Sequence, residues 1–161
     1  MSNLQRPSVL RVRQALVAAG SSAEVVELYE TARTAQDAAD ALGCPLGAIV
    51  KSLVFVCGEE PVMALVAGDR QCKTEDLRAA LGRTGTVKRA DADTVRAATG
   101  FAIGGVAPVG HPTRMPVAID ASLRRFDRIY AAAGHTHCVF ATTVDELVHL
   151  TGGRLASDIS V

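Results

Sequence analysis

The chain has 161 residues, and its seventeen basic side chains are balanced by seventeen acidic ones, so no overall field draws it onto a long nucleic acid or an anionic membrane. Apolar residues make up 48% and aromatic residues only 4%, which predicts one sizeable core of Ala, Val, Leu and Ile in a single domain over 1–161. A small, locally basic site remains open to an anionic partner. In "MSNLQRPSVLRVRQALVAAG", Arg11 and Arg13 break the apolar run, unlike a signal peptide, and no window elsewhere approaches the roughly 18 to 20 apolar residues of a spanning helix. A cytoplasmic location and no membrane partner are expected. Cys44, Cys57, Cys72 and Cys138 form no C-x-x-C pair, so reduced and mostly buried thiols are expected.

In chain order, "SVLRVRQALVAAG" has apolar residues at helical spacing and Gly20 as a stop. "EVVELYE" reads as a strand. "TAQDAADALG" predicts a helix with Thr34 and Asp37 as a capping box and Gly43 at its end. "AIVKSLVFVC" and "PVMALVA" are strands joined by "CGEEP" as a hairpin connection. "TEDLRAALG" repeats the capped arrangement from Thr74 to Gly82, and "DADTVRAATG" is another short helix. "MPVAID", "RIYAAA" and "HCVFAT" are strands, and "TVDELVHLTGG" closes the set with Thr143 and Glu146 as capping pair. Strands and helices interleave without a regular βαβ rhythm. The expected fold is mixed α/β (α+β), a curved, mostly antiparallel sheet with helices packed around it.

Candidate chemistry starts in the second strand. A period of two puts Ile49, Lys51, Leu53 and Phe55 on one face and Val50, Ser52, Val54 and Val56 on the other. Both faces are apolar, so a lysine in the middle is expensive, since burying an unpaired ammonium costs several kcal/mol even after relaxation. Either its stem snorkels and the amine reaches solvent, or the amine meets an anion in a cleft. A second candidate is "FAIGGVAPVGHP", where Gly104 and Gly105 permit close approach to the main chain and Pro108 stiffens the backbone after them. Such a loop is either an ordinary tight turn or a device that aims backbone N–H groups at an oxyanion. It lacks both nucleotide-loop patterns, G-x-x-x-x-G-K-[ST] and G-x-G-x-x-G.

"GHTHC" brings His135, His137 and Cys138 close in sequence, but alternation turns Cys138 away, and His111 and His149 stand at no ligand spacing, so no metal is expected. A histidine of this segment as the wall of a cleft fits better. No G-x-S-x-G elbow exists, and Ser52 lacks an evident His/Asp set. Asp120 reads either as a general base or as a strand-terminal cap for the next turn. The basic residues of "SLRRFDRIY" and "RTGTVKR" are solvated faces or a modest phosphate-contacting rim.

Taken together, "RTAQDAADALG…IVKSLVF", "ALVAGDR", "TGFAIGGVAPVGH", "MPVAIDASL" and "IYAAAG" resemble the YbaK/EbsC family, with motifs in the family's order from about Glu24 to Ile159. That family includes the editing domain of bacterial prolyl-tRNA synthetases. The resemblance implies a barrel-like sheet and a metal-independent trans-editing deacylase without cofactor. Its expected substrate is mischarged aminoacyl-tRNA, tRNA(Pro) carrying a small Ala- or Cys-like residue, and its expected partner is prolyl-tRNA synthetase. The alternative is a non-catalytic tRNA- or synthetase-binding module of the same fold. By resemblance Lys51 is the catalytic residue, and Gly104, Gly105, Val106, Ala107 and Pro108 bind substrate. Ser52, His111, Asp120, His135 and His137 are further pocket candidates. The chain departs from the cysteine-specific branch at Ala132, Ala133 and Val139, and from the alanine-specific branch at Ser52, where that branch has asparagine.

Overall fold

A computed structural model describes residues 2–29 and 33–161. The first helix, α1 (Pro7–Ala18), starts on a proline whose missing N–H would be unpaired there anyway. Strand β1 (Val25–Glu27) is shorter than its apolar run, and Glu30, the last residue of that expected strand, lies outside the described residues. Helix α2 (Ala35–Leu42) forms the expected capping box, with Thr34 accepting from the Asp37 N–H and Asp37 from the Thr34 N–H, and Gly43 ends it. Strands β2 (Ile49–Cys57) and β3 (Glu60–Ala67) pair antiparallel across a turn at Gly58 and Glu59.

Helix α3 (Thr74–Ala80) starts differently from its expected form. Lys73 is the N-cap with no side-chain hydrogen bond, Thr74 is already helical, and Leu77, at the place of the expected return partner, has no side-chain acceptor. After β4 (Val87–Arg89) comes α4 (Ala92–Thr99), capped by Asp91 accepting from the Thr94 N–H. Strands β5 (Val117–Asp120), β6 (Ile129–His135) and β7 (Cys138–Thr142) come next, then α5 (Val144–Thr151) and β8 (Arg154–Ala156). In α5 only half of the capping box forms: Thr143 accepts from the Glu146 N–H, while the Glu146 carboxylate takes the Thr142 and Ser21 hydroxyls instead.

All eight strands form one curled sheet in the order β1-β7-β6-β2-β3-β5-β8, with β4 on β2. Antiparallel pairs join β1 to β7, β6 to β7, and β2 to both β3 and β4. The joins of β6 to β2, β3 to β5 and β5 to β8 are parallel. The sheet is therefore mixed and mostly antiparallel, as expected, with the long β2–β3 ladder as its largest join. Alternation along β3 feeds two cores. Met63, Leu65 and Ala67 join α1, α4, α5 and Phe101 on one face, and Val62, Ala64 and Val66 join Leu77, Phe55 and Ile159 on the other. No helix among the described residues is long and apolar enough to cross a membrane. The cysteines are free, with Cys57 and Cys138 buried and Cys44 and Cys72 half-buried.

Candidate functional site

The centre of β2 is where the sheet opens. On the side away from β3, β6 pairs only with Ile49 and Val50, and β4 pairs only with Phe55 to Cys57. The ends of the strand are buried, while Lys51, Ser52 and Leu53 are half-buried at the gap. Over the gap lies a cavity of about 270 Å³ whose lining includes Lys51, Ser52, Gly104 and Val106. The lysine and the glycine-rich bend, about fifty positions apart in sequence, thus face one space.

The bend is shaped by its own hydrogen bonds and by its neighbour. The Gly105 N–H donates to the Ala102 carbonyl at 3.0 Å, which closes a four-residue turn with Gly104 at its third position and φ of +95°. That position takes a positive φ in a type II turn, which favours glycine. A Cβ on Gly105 would sit 2.9 Å from the backbone of His135, so the bend rests on the turn between β6 and β7. The Gly105 N–H is consequently used inside the turn, whereas those of Gly104 and Val106 have no protein partner among the described residues. Gly104 and Val106 line the cavity. Gly105, Ala107 and Pro108 are buried behind them, and Pro108 faces a different recess.

His111 lies behind the bend. Its Nε2 is 2.7 Å from the Ala107 carbonyl and its ring meets Phe101 edge-on, while the Arg11 guanidinium lies over Phe101 and donates to Gly100 O. Burial pushes the His111 pKa below its ordinary value, and Arg11 adds to that, against the Ala107 bond. His111 therefore fastens the bend without touching the cavity. His135 Nδ1 accepts from the His137 N–H at 3.1 Å, and neither ring lines the cavity, although Thr136 between them does. Cys138 is fully buried, its thiol pushed up to about 11 by burial. Among the described residues no group of three or more His, Cys, Asp or Glu is placed to hold a metal ion.

Asp120 is buried and fully occupied as a cap, accepting from the Ala67 and Ser122 N–H groups and the Ser122 hydroxyl. It does not line the cavity, and of its two readings the structural one describes its contacts. The Lys51 amine donates to the Arg70 carbonyl, leaving two N–H groups. Burial lowers its pKa, Asp69 opposes this, and Arg89 adds to it. Cys72, electrostatically coupled to Lys51, is pushed up to about 11 by burial and then by Asp120, which removes it as a thiolate nucleophile at neutral pH.

Two further cations stand beside Lys51: Arg89, from the "RTGTVKR" stretch, and Arg33, to which the sequence assigns no separate role. Arg33, before α2, and Arg89, on β4, line the same cavity, and no Asp or Glu among the described residues does. The nearby Asp69 is held by Arg125 at 2.7 and 2.9 Å, and Arg124 pairs with Asp145, so two of the three "SLRRFDRIY" arginines belong to solvated ion pairs. Arg89, from "RTGTVKR", instead takes the rim position. A wider recess of about 510 Å³ lies beside α4, but its only charged lining groups are Arg114 and Glu60, the latter tied to Arg83. The gap in the sheet is the better candidate, because the main-chain donors and the half-buried lysine converge there.

Comparison with known proteins identifies the family. A protein of Enterococcus faecalis named EbsC, a candidate Cys-tRNA(Pro)/Cys-tRNA(Cys) deacylase, is 27% identical over 124 residues, 76% of this chain and 75% of that one. A proline–tRNA ligase of Nitratidesulfovibrio vulgaris is 36% identical over 109 residues, 68% of this chain but only 18% of the ligase. A solved structure described as a candidate trans-editing enzyme for prolyl tRNA synthetase superimposes with a TM-score of 0.89 at 40% identity, covering 94% of this chain and 96% of that one. The model of the aminoacyl-tRNA editing domain matches residues 29–150, most of the sheet and the whole cavity among them, and the chain belongs to that family.

Proposed function

We propose that the chain is a trans-editing hydrolase that removes a small non-cognate amino acid from mischarged tRNA, with tRNA(Pro) as the carrier and prolyl-tRNA synthetase as the associated enzyme. The observation that carries this reading is the convergence of Lys51, Arg33 and Arg89 with the main chain at Gly104 and Val106 on a cavity that no acidic side chain among the described residues lines. An aminoacyl ester is already activated, so holding and polarising it matter more than a strong nucleophile. Lys51 meets the terminal phosphate or ribose edge of the acceptor end. Free N–H groups of the bend accept the negative charge that develops on the ester carbonyl oxygen, each such donor contributing about 2.7–4 kcal/mol. Water attacks the carbonyl carbon, the bond to the ribose oxygen breaks with a proton returned to that oxygen, and free amino acid and tRNA leave. Editing of this kind is needed because a synthetase pocket gains only about 1–3 kcal/mol of discrimination per methylene.

A panel of mischarged tRNAs tests the reading. Purified protein is expected to discharge at least one of them, and Lys51→Ala to lower the rate at least 100-fold while thermal melting shows the fold retained. A wild type that discharges none of the panel at high concentration overturns it. The second reading, a binding module of the same fold, is favoured by one observation: no histidine or carboxylate among the described residues lines the cavity. Retention of charged tRNA with ester loss no faster than in buffer would select it.

A further inference from the structure

We infer that Ser52 reads the side chain of the amino acid removed, and that this side chain carries a hydroxyl, as in serine or threonine. The inference rests on the deacylase reading, narrows its small non-cognate amino acid, and departs from the Ala- or Cys-like residue that the family resemblance implies. Three observations meet at this residue.

The first is main-chain geometry. Val54 O accepts from the Ala90 N–H on the β4 side, and the Met63 and Ala67 N–H groups point away from β2, to Pro116 O and Asp120. Alternation then directs the N–H and C=O of Ser52 away from β3 and into the gap, where neither β6 nor β4 pairs with them. A strand edge with one donor and one acceptor matches the ester carbonyl and α-ammonium common to every aminoacyl group. This fixes where the substrate Cα comes to rest, beside Ser52.

The second is an unsatisfied hydroxyl. Ser52 Oγ is buried and has no hydrogen-bond partner among the described residues. Buried polar atoms are nearly always paired, so one that is not calls for an explanation.

The third is a recess of about 40 Å³ that Ser52 shares with Val54, Ala90, Val95 and the Ile103–Gly104 turn, and that adjoins the main cavity through Ser52, Gly104 and Val106. A water-sized group needs about 10–15 Å³ of such space, so the recess admits about three heavy atoms and no long side chain. An alanine methyl leaves part of it empty and Oγ unpaired. A thiol is a weak donor and acceptor, whereas a hydroxyl both donates and accepts. The walls are apolar apart from Ser52 and Arg89, which suits the methyl of threonine as well.

The test compares kcat/KM for seryl-, threonyl- and alanyl-tRNA(Pro) in the wild type and in Ser52→Ala, with melting curves to show that both are folded. The wild type is expected to favour seryl over alanyl substrate about tenfold, and Ser52→Ala to bring that ratio close to one. A wild-type ratio near one, or a preference that survives Ser52→Ala, overturns the inference while leaving the deacylase reading intact. If no tRNA is discharged, the deacylase reading fails. The inference is then read from calorimetric binding of the seryl and alanyl amides of 3′-amino-3′-deoxyadenosine. Tighter seryl binding that Ser52→Ala abolishes supports it, and equal or undetectable binding of the two overturns it.

Discussion

Lys51 shows how one side chain can be read in sequence and still be incomplete. Its apolar neighbours announce an expensive cation, yet only the break in pairing around β2 shows that the lysine stands at an opening and not inside a closed sheet. His111 stands out in the sequence for its place after the bend, and it acts on the bend from behind through Ala107 O. Its folded pKa is depressed, so the neutral ring is favoured in the fold. Its contribution is present above the ordinary value near 6.5 and is lost as pH falls through that value towards the lowered one. Urea midpoints at pH 7.5 and 5.5 should therefore fall less for His111→Gln than for the wild type. An equal fall in both would remove this account of His111. Gly105→Ala should shift the bend, because its Cβ would meet backbone atoms of His135 that have little room to retreat. The expected result is a destabilisation of about 1–3 kcal/mol together with loss of deacylation, measured by denaturation and by the discharge assay.

At the scale of elements, local chemistry located the helices better than it described their caps. Thr34 with Asp37 forms the full reciprocal pair, Thr143 half of one, and Thr74 none, because the residue at the third helical position must be free to fold back. Glu146 is engaged elsewhere, by Thr142 and Ser21, so the cap of α5 rests on Thr143 alone. Thr143→Ala should lower stability by about 1 kcal/mol, read from chemical denaturation, with deacylation unchanged because α5 lies away from the cavity. Strands β4 and β8 leave no pattern in the sequence. Each has three residues, too few for alternation to register, and each exists because a partner strand supplies its hydrogen bonds.

For the molecule as a whole, net charge of zero combined with three cations at one cavity predicts weak affinity for tRNA and little long-range attraction. If Arg33, Lys51 and Arg89 each meet one phosphate of the single-stranded acceptor end, the slope of log K against log salt should be about −2. Arg89→Ala should make it shallower by about 0.7, measured by filter binding or fluorescence titration. A slope several times steeper would point to a larger nucleic-acid footprint than this cavity supplies. The association with a synthetase proposed above would offset that weak intrinsic affinity.

By itself the sequence determined the presence of the helices, the two-sided apolar character of β2, the lysine in it and the bend at Gly104, because each depends on residues within a few positions of one another. The tertiary structure alone decided that β6 and β4 stop short of each other along β2, that Arg33 and Arg89 arrive at the resulting gap, and that the bend seats on the β6–β7 turn. Those are contacts between distant segments. They are set by which strand edge each segment satisfies with hydrogen bonds, and no local period in the chain encodes that choice.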